Sequence, residues 1–538
     1  MKHSAAAAAA ALMMLMTGPA RAAGASGVDP ETVNAIADQG FNHSQVLALA
    51  GHLDDEIGGR MTNSPAMRKA EAWTQDEFKS FGLKDVRTLP FDFGRGWWIE
   101  AAHVRMITPR PLELRAIPTA WTPPTNGPLA APIIVAPIRT AKDFDAWRGK
   151  LRGKIVLVSA PTPPADDTAA PFRRLTDADL QQISPYREPT FDPATLETRL
   201  AGARSRKALD AFLAGEGALA SVTMSRSDGG LVHGEGSGYG VGATPKLPAV
   251  EIAAEDYRRL ARLAKVGEVR LEIDSNVHYD DSDSKAYDVL ADLGGSDPKA
   301  GYVMAGAHLD SWVAADGATD NGAGSVVVME AARILSALHV KPKRTIRFAL
   351  WAGEEQGLLG SFAYVDAFLA KRPADPKTAD LGPYYASDSY PITPLPGLAQ
   401  MHGYFNLDNG SGKIRGIYSE GNFAAEPMLR AWLAPLANLG AGTVASSPTG
   451  STDHVFMVKL GLPAFQFIQD PLDYGSRTHH TNLDTYDHLR GDDLRQAAVV
   501  LATVLLDAAD SDTPLPNNVL PTQPAATDPF RVADPAPR

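Results

Sequence analysis

The sequence predicts an α/β protein: a largely parallel sheet covered by helices on both faces, interrupted by a small β-rich insertion. Two observations carry this. From about Ser275 onward, apolar runs such as "YVMAGA", "RFALWAG" and "LPAFQFI" alternate with helical stretches such as "SVVVMEAARILSAL". That is the rhythm of parallel strands joined by crossover helices. Between about Pro111 and Asp274 the texture changes to brief β-runs separated by Pro-, Gly- and Asp-rich loops, including "APTPPADDTAAPF" and "SDGGLVHGEGSGYGVGATP".

The elements follow in order. "MKHSAAAAAAALMMLMTGPARAAGA" has a basic start at Lys2, an apolar stretch through Met16 and a small-x-small site at Ala20-Arg21-Ala22. Residues 1–22 therefore read as a cleavable signal peptide, which places the mature protein in the periplasm or outside the cell. No later segment reaches the ~18 continuous apolar residues of a membrane anchor. Residues 28–110 form the first part of the main domain. In them "NSPAMRKAEAWTQDEFKSFGL" is a helix with Ser64 as N-cap, Pro65 at its first position and Gly82 at its end, and "GLKDVRTLPFDF" is a strand. The insert, residues 111–274, holds the strand "GKIVLV", a helix and strand in "KALDAFLAGEGALASVTMS", and a strand and helix in "LPAVEIAAEDYRRLARLAK". Its charges suggest no cluster able to do chemistry. Residues 275–510 complete the main domain, and 511–538 form a proline-rich tail.

Composition narrows the chemistry. The 51 basic and 63 acidic residues give a net charge of −12 with no block of like charge, which argues against nucleic acid or an anionic membrane as partner. The chain has no cysteine, so disulfides, thiolate metal sites and a cysteine nucleophile are excluded. Any metal must be held by His, Asp and Glu.

Such residues follow every apolar run of the second half. "YVMAGA" leads to His308 and Asp310, "RFALWAG" to Glu354 and Glu355, "MHGYFNL" to Asp408, and "LPAFQFI" through a loop to His479 and His480; the glycine-rich "DGATDNGAG" holds Asp320. In an open α/β sheet ligands bind at the carboxyl ends of the strands, so these side chains share one edge. Two imidazoles and three carboxylates suit a pair of borderline cations. Asp320, short and flanked by glycine, is the natural bridge. His308 and Asp408 are expected on one metal, Glu355 and His480 on the other, His480 being preferred to His479. Consecutive residues leaving a strand diverge, so Glu354 is free to face a water shared by the metals as general base. Asp310 is expected to accept the second ring N–H of His308, and Asp484 to do the same for His480.

The motifs "GAHLDSW…GATDNGAG…WAGEEQGLLGS…NLDNG…HTNLDT" resemble the co-catalytic zinc aminopeptidases and glutamate carboxypeptidases of metallopeptidase family 28, over about residues 45–505. "GGRMTNSPAMRKAEAW" and "GKIVLV" resemble members with a protease-associated domain. The resemblance implies a three-layer α/β/α, phosphorylase/hydrolase-like zinc-peptidase domain with an inserted protease-associated domain. It implies two Zn2+ ions on His308, Asp320, Glu355, Asp408 and His480, with Glu354 as proton shuttle and Asp310 as orienting acid. It also implies a cis peptide after Asp320. The tyrosine that some members carry before "STDHVF" is replaced by Thr449 and Gly450, leaving His454 as a candidate for substrate binding; Arg477 is another, for a substrate carboxylate. The expected function is hydrolysis of peptides by an exported exopeptidase, with an aminopeptidase leading and a carboxypeptidase or dipeptidase as alternative. A one-zinc glutaminyl cyclase and a non-catalytic receptor on the same scaffold are further alternatives.

Overall fold

The computed structural model describes residues 27–164, 169–188, 194–374, 376 and 389–519. The signal peptide expected over 1–22 and most of the expected tail lie outside the described residues. The main sheet has eight strands: β1 (Lys84–Asp92), β2 (Lys285–Leu293), β3 (Tyr302–His308), β4 (Thr345–Trp351), β5 (Met401–Asn406), β6 (Ile414–Tyr418), β7 (Thr443–Ala445) and β8 (Ala464–Gln469). Their order is β1-β2-β4-β3-β5-β8-β6-β7. The central strands β4, β3, β5 and β8 run parallel, while β1 and β2 form an antiparallel edge.

Alternation along these strands makes two cores. Val303, Ala305, Ala307, Phe348 and Leu350 pack with Val327 and Ile334 of helix Ala323–Ala337 and with Val500 and Val504 of helix Gly491–Asp510. Their neighbours Met304, Ala349 and Trp351 point the other way, onto Tyr404, Tyr364, Phe456 and Met457. A strand buried on both faces needs an unbroken apolar run, and β3 is buried at every position. Each fully buried Val, Leu or Phe contributes roughly 1.5–3 kcal/mol, so the sheet is the rigid part of the molecule. The expected helix spans Pro65–Ser80, with Ser64 accepting from Met67 N and Gly82 at φ +88° beyond its end.

A second eight-stranded sheet belongs to the insert. Its long antiparallel pair, Gly96–Thr108 with Arg270–Asp280, begins before the boundary expected at 111 and runs past the one expected at 274. These strands carry the chain into and out of the insert, and a composition shift does not mark them. Within the insert, parallel strands Leu129–Val135, Ile155–Leu157, Ala220–Met224 and Ala249–Ile252 are accompanied by helices Ala194–Gly215 and Ala254–Leu263.

Among the described residues, the insert is tied to the main domain on both flanks of the strand ends. At one, Arg173 N donates to Leu472 O (2.9 Å), Arg174 pairs with Asp470 and Asp493 (3.0 and 2.7 Å), and Ser446 N donates to Ser184 O (2.8 Å). At the other, Val232 N donates to Asn482 Oδ1 (2.9 Å) and Asn482 N donates back to Val232 O (3.1 Å).

Candidate metal centre

The carboxyl ends of β4, β3, β5 and β8 open on one cavity of about 560 Å³, bordered by Asp320, Glu354, Glu355, Asp408, His479 and His480. β3 is where the strand order switches sides: the chain goes next to β4 on one flank, then to β5 on the other. That switch point leaves a crevice above the sheet.

Asp320 is the hinge of the cluster. Its Oδ1 lies 3.3 Å from His308 Nε2, which in turn is 3.3 Å from Asp408 Oδ1. Its Oδ2 lies 3.3 Å from His480 Nε2, which is 3.0 Å from Glu355 Oε2. The five residues named from the sequence are thus brought together in two groups that share one carboxylate. The turn bearing Asp320 is strongly held. Asp484 accepts from Thr319 N and Asp320 N (2.6 and 3.0 Å), Asn321 Oδ1 accepts from Gly324 N at the start of the following helix (3.0 Å), and the Asp320–Asn321 peptide is cis, as the resemblance implied. Gly324 admits no side chain, because a Cβ there would sit 2.5 Å from Leu407 O.

Two orienting roles differ from expectation. His308 Nδ1 is 2.9 Å from the backbone carbonyl of Asp310, whereas the Asp310 carboxylate is 3.7 Å away. That carboxylate instead accepts from the backbone N–H groups of Glu354 and Glu355 (3.2 and 3.3 Å), so it fixes the turn carrying both acids. Asp484 serves the Asp320 turn rather than His480. The partner of His480 Nδ1 is Glu235 Oε1, at 2.7 Å, from an insert expected to contribute no chemistry. Nothing local in the sequence links Glu235 to a histidine 245 positions away; the only signal was an acid between two glycines in a loop.

The other candidates scatter. His479 stacks on His480 (ring centroids 3.8 Å) with its Nε2 3.8 Å from Asp320 Oδ2, a more distant member of the second group. His454 is buried, with Nε2 on Thr449 Oγ1 (3.0 Å) and Glu420 Oε1 (3.3 Å), and does not border the cavity. Arg477 is exposed and also absent from its lining. Arg187 of the insert does border it, as do Thr449, Gly450 and Tyr474.

The electrostatics call for cations. Burial pushes Glu354 well above the ordinary carboxylate range; His308 opposes this, while Asp408 and Asp453 add to it. Burial raises Glu355 to about 7 against the pull of His480. Burial would raise Asp320 too, but the imidazoles of His308 and His480 beside it hold it well below its usual value. Buried carboxylate oxygens without any hydrogen-bond partner are costly, and both Asp320 Oδ2 and Glu355 Oε1 are in that state. An oxygen and imidazole donor set with such orphaned acceptors fits borderline divalent cations such as zinc.

Comparison with known proteins agrees. Residues 288–505 match the family model for Peptidase family M28. Carboxypeptidase Q of Bos taurus is 26% identical over 475 residues, covering 87% of this chain and 85% of that protein. Leupeptin-inactivating enzyme 1 of Streptomyces exfoliatus is 40% identical over 96 residues, 18% of this chain and 22% of that one. The solved structure of a Peptidase M28 precursor from Shewanella amazonensis aligns at TM-score 0.63 and 25% identity, over 91% of this chain and 98% of the other. A zinc aminopeptidase from Bacillus subtilis shares the fold at TM-score 0.55 and 20% identity, over 87% and 95% of the two chains. The strand-end cluster and the fold agree with this match, and residues 288–505 form a zinc-metallopeptidase domain of the Peptidase family M28 type.

Proposed function

We propose that the protein is an exopeptidase working with two zinc ions, and that its main activity is the release of N-terminal residues from peptides. The observation that carries this is Glu354, a buried carboxylate that borders the cavity with Asp320, Asp408 and Glu355 while lying 4.0 Å from His308 Nε2, farther than the other acids of that group. In this reading His308, Asp320 and Asp408 hold one ion, and Asp320, Glu355 and His480 the other. When bound, the ions supply Lewis acidity toward the scissile carbonyl and acidify a water for attack. Glu354 accepts the proton of the attacking water and passes it to the departing amine. The acidic lining suits a free α-ammonium group.

A second reading, carboxypeptidase or dipeptidase, is favoured by Arg187 on the cavity wall, since a guanidinium can fork a terminal carboxylate. The similarity to carboxypeptidase Q supports it as well. We also assign the protein to the periplasm or the cell exterior on the strength of its first residues; no helix among the described residues is long and apolar enough to cross a membrane. The insert is read as a protease-associated domain from "GGRMTNSPAMRKAEAW" ahead of it and "GKIVLV" within it.

The test is a panel of aminoacyl chromogenic substrates, N-blocked peptides with free carboxyl ends, and free dipeptides. Cleavage of the first group, abolished by chelator, restored by zinc and reduced 10²–10⁴-fold in Glu354→Gln, is the expected result. Cleavage of only the second or third group moves the assignment to the second reading. One zinc per chain with cyclisation of N-terminal glutamine would replace both.

A further inference from the structure

We infer that the insert is a working part of the metal centre, and that Glu235 is a positioning residue for the ligand His480. The inference rests on His480 being a ligand, as proposed above. An imidazole that donates one ring N–H to a carboxylate is fixed in orientation and tautomer, and its other nitrogen becomes a better donor to a cation. Glu235 stands in that relation to His480: its Oε1 is 2.7 Å from Nδ1, while Nε2 faces Glu355 and Asp320.

The loop that presents Glu235 leaves strand Ala220–Met224 of the insert and is anchored along its length. Arg226 grips the Glu235 carboxylate with both terminal nitrogens, at 2.9 and 2.7 Å. Buried His233 meets Glu251 at 2.8 Å, and Glu251 also accepts from Gly234 N at 3.1 Å. Val232 and Asn482 exchange two hydrogen bonds, which tie the loop to the chain just after His480. The flanking glycines allow close approach. A Cβ on Gly236 would sit 2.1 Å from Ala120 O, and one on Gly234, at φ +71°, would sit 3.1 Å from Pro118 O. Glu235 is thus held by a preorganised arm rather than by chance contact.

The two histidines are served differently. His308 is oriented by a carbonyl only two residues along its own chain, whereas His480 depends on a carboxylate from the other domain. Removing Glu235 is therefore expected to weaken one ion and spare the other, because only one of the two groups contains His480.

The test is zinc binding to the full-length apoprotein, measured by competition with a chromophoric chelator for wild type, Glu235→Ala and Glu235→Gln. Activity is not needed for this readout. The expected result is a 10–100-fold loss of affinity at one of two sites in Glu235→Ala, a smaller loss in Glu235→Gln, and an unchanged second site. The urea midpoint of the apoprotein should be the same in all three. Equal affinities in wild type and Glu235→Ala overturn the inference. So does an equal loss at both sites accompanied by a lower midpoint, which marks a purely structural role. If wild type itself binds fewer than two zinc ions, it is the two-ion reading that fails, and the wild-type titration reports this separately.

Discussion

Glu71 gives a sharp test of the electrostatics away from the metal centre. It lies on helix Pro65–Ser80, is buried, and has a single close cation, Arg68 Nη1 at 3.1 Å. Burial outweighs that pairing and pushes the carboxyl up to about 7 from its ordinary 4.5. The folded state therefore binds the proton more tightly than the unfolded chain. The associated stability is complete below about pH 4.5, and is lost as pH rises through 7. The rise from 4.5 to about 7, at about 1.36 kcal/mol per pH unit, comes to about 3 kcal/mol. Glu71→Gln keeps the shape and removes the titration. It should leave stability nearly unchanged at pH 4.5 and raise it by about 3 kcal/mol at pH 8, relative to wild type. Urea unfolding with chelator present in every sample, so that metal occupancy does not vary with pH, measures this directly. Equal differences at the two pH values, or a variant less stable at pH 8, would refute the claim that burial dominates over Arg68.

Three further outcomes follow from the geometry. His454→Gln should keep its zinc content yet lose about 1–3 kcal/mol of stability through the contacts to Thr449 and Glu420, whereas His480→Gln should lose zinc; metal analysis and melting together separate them. Gly324→Ala should lower both zinc content and melting temperature, at about 1–3 kcal/mol, because the new Cβ meets Leu407 O and Asn321 Oδ1 beside the Asp320 turn. Asp484→Ala, which strips the acceptor from Thr319 N and Asp320 N, should cost about 1–3 kcal/mol per orphaned N–H and weaken zinc retention, read by urea titration and metal analysis.

Much of the candidate ligand set was legible because His308, Glu355 and Asp408 follow apolar runs, and parallel strands deliver their ends to one edge. His308, Glu355 and Asp408 needed no knowledge of long-range packing for this. Helix Pro65–Ser80 was equally legible, since its cap and its terminating glycine are local signals. What could not be read were contacts between distant segments. Asp310 looked like the partner of His308 from spacing alone, but the backbone carbonyl reaches the ring first and the carboxylate turns to the amides of Glu354 and Glu355. The role of Glu235 depends on where the insert docks, and the outer strands Gly96–Thr108 and Arg270–Asp280 show that even the extent of the insert was set by pairing rather than composition.

The double fastening of the insert bears on how substrates arrive. Its segment around Ser184 and Arg187 sits on one flank of the cavity and its Val232 arm on the other side, behind His480. Any swing of the insert away from the cavity mouth would have to break at least one of these sets of hydrogen bonds and ion pairs, so the ties on both flanks favour the opening seen here.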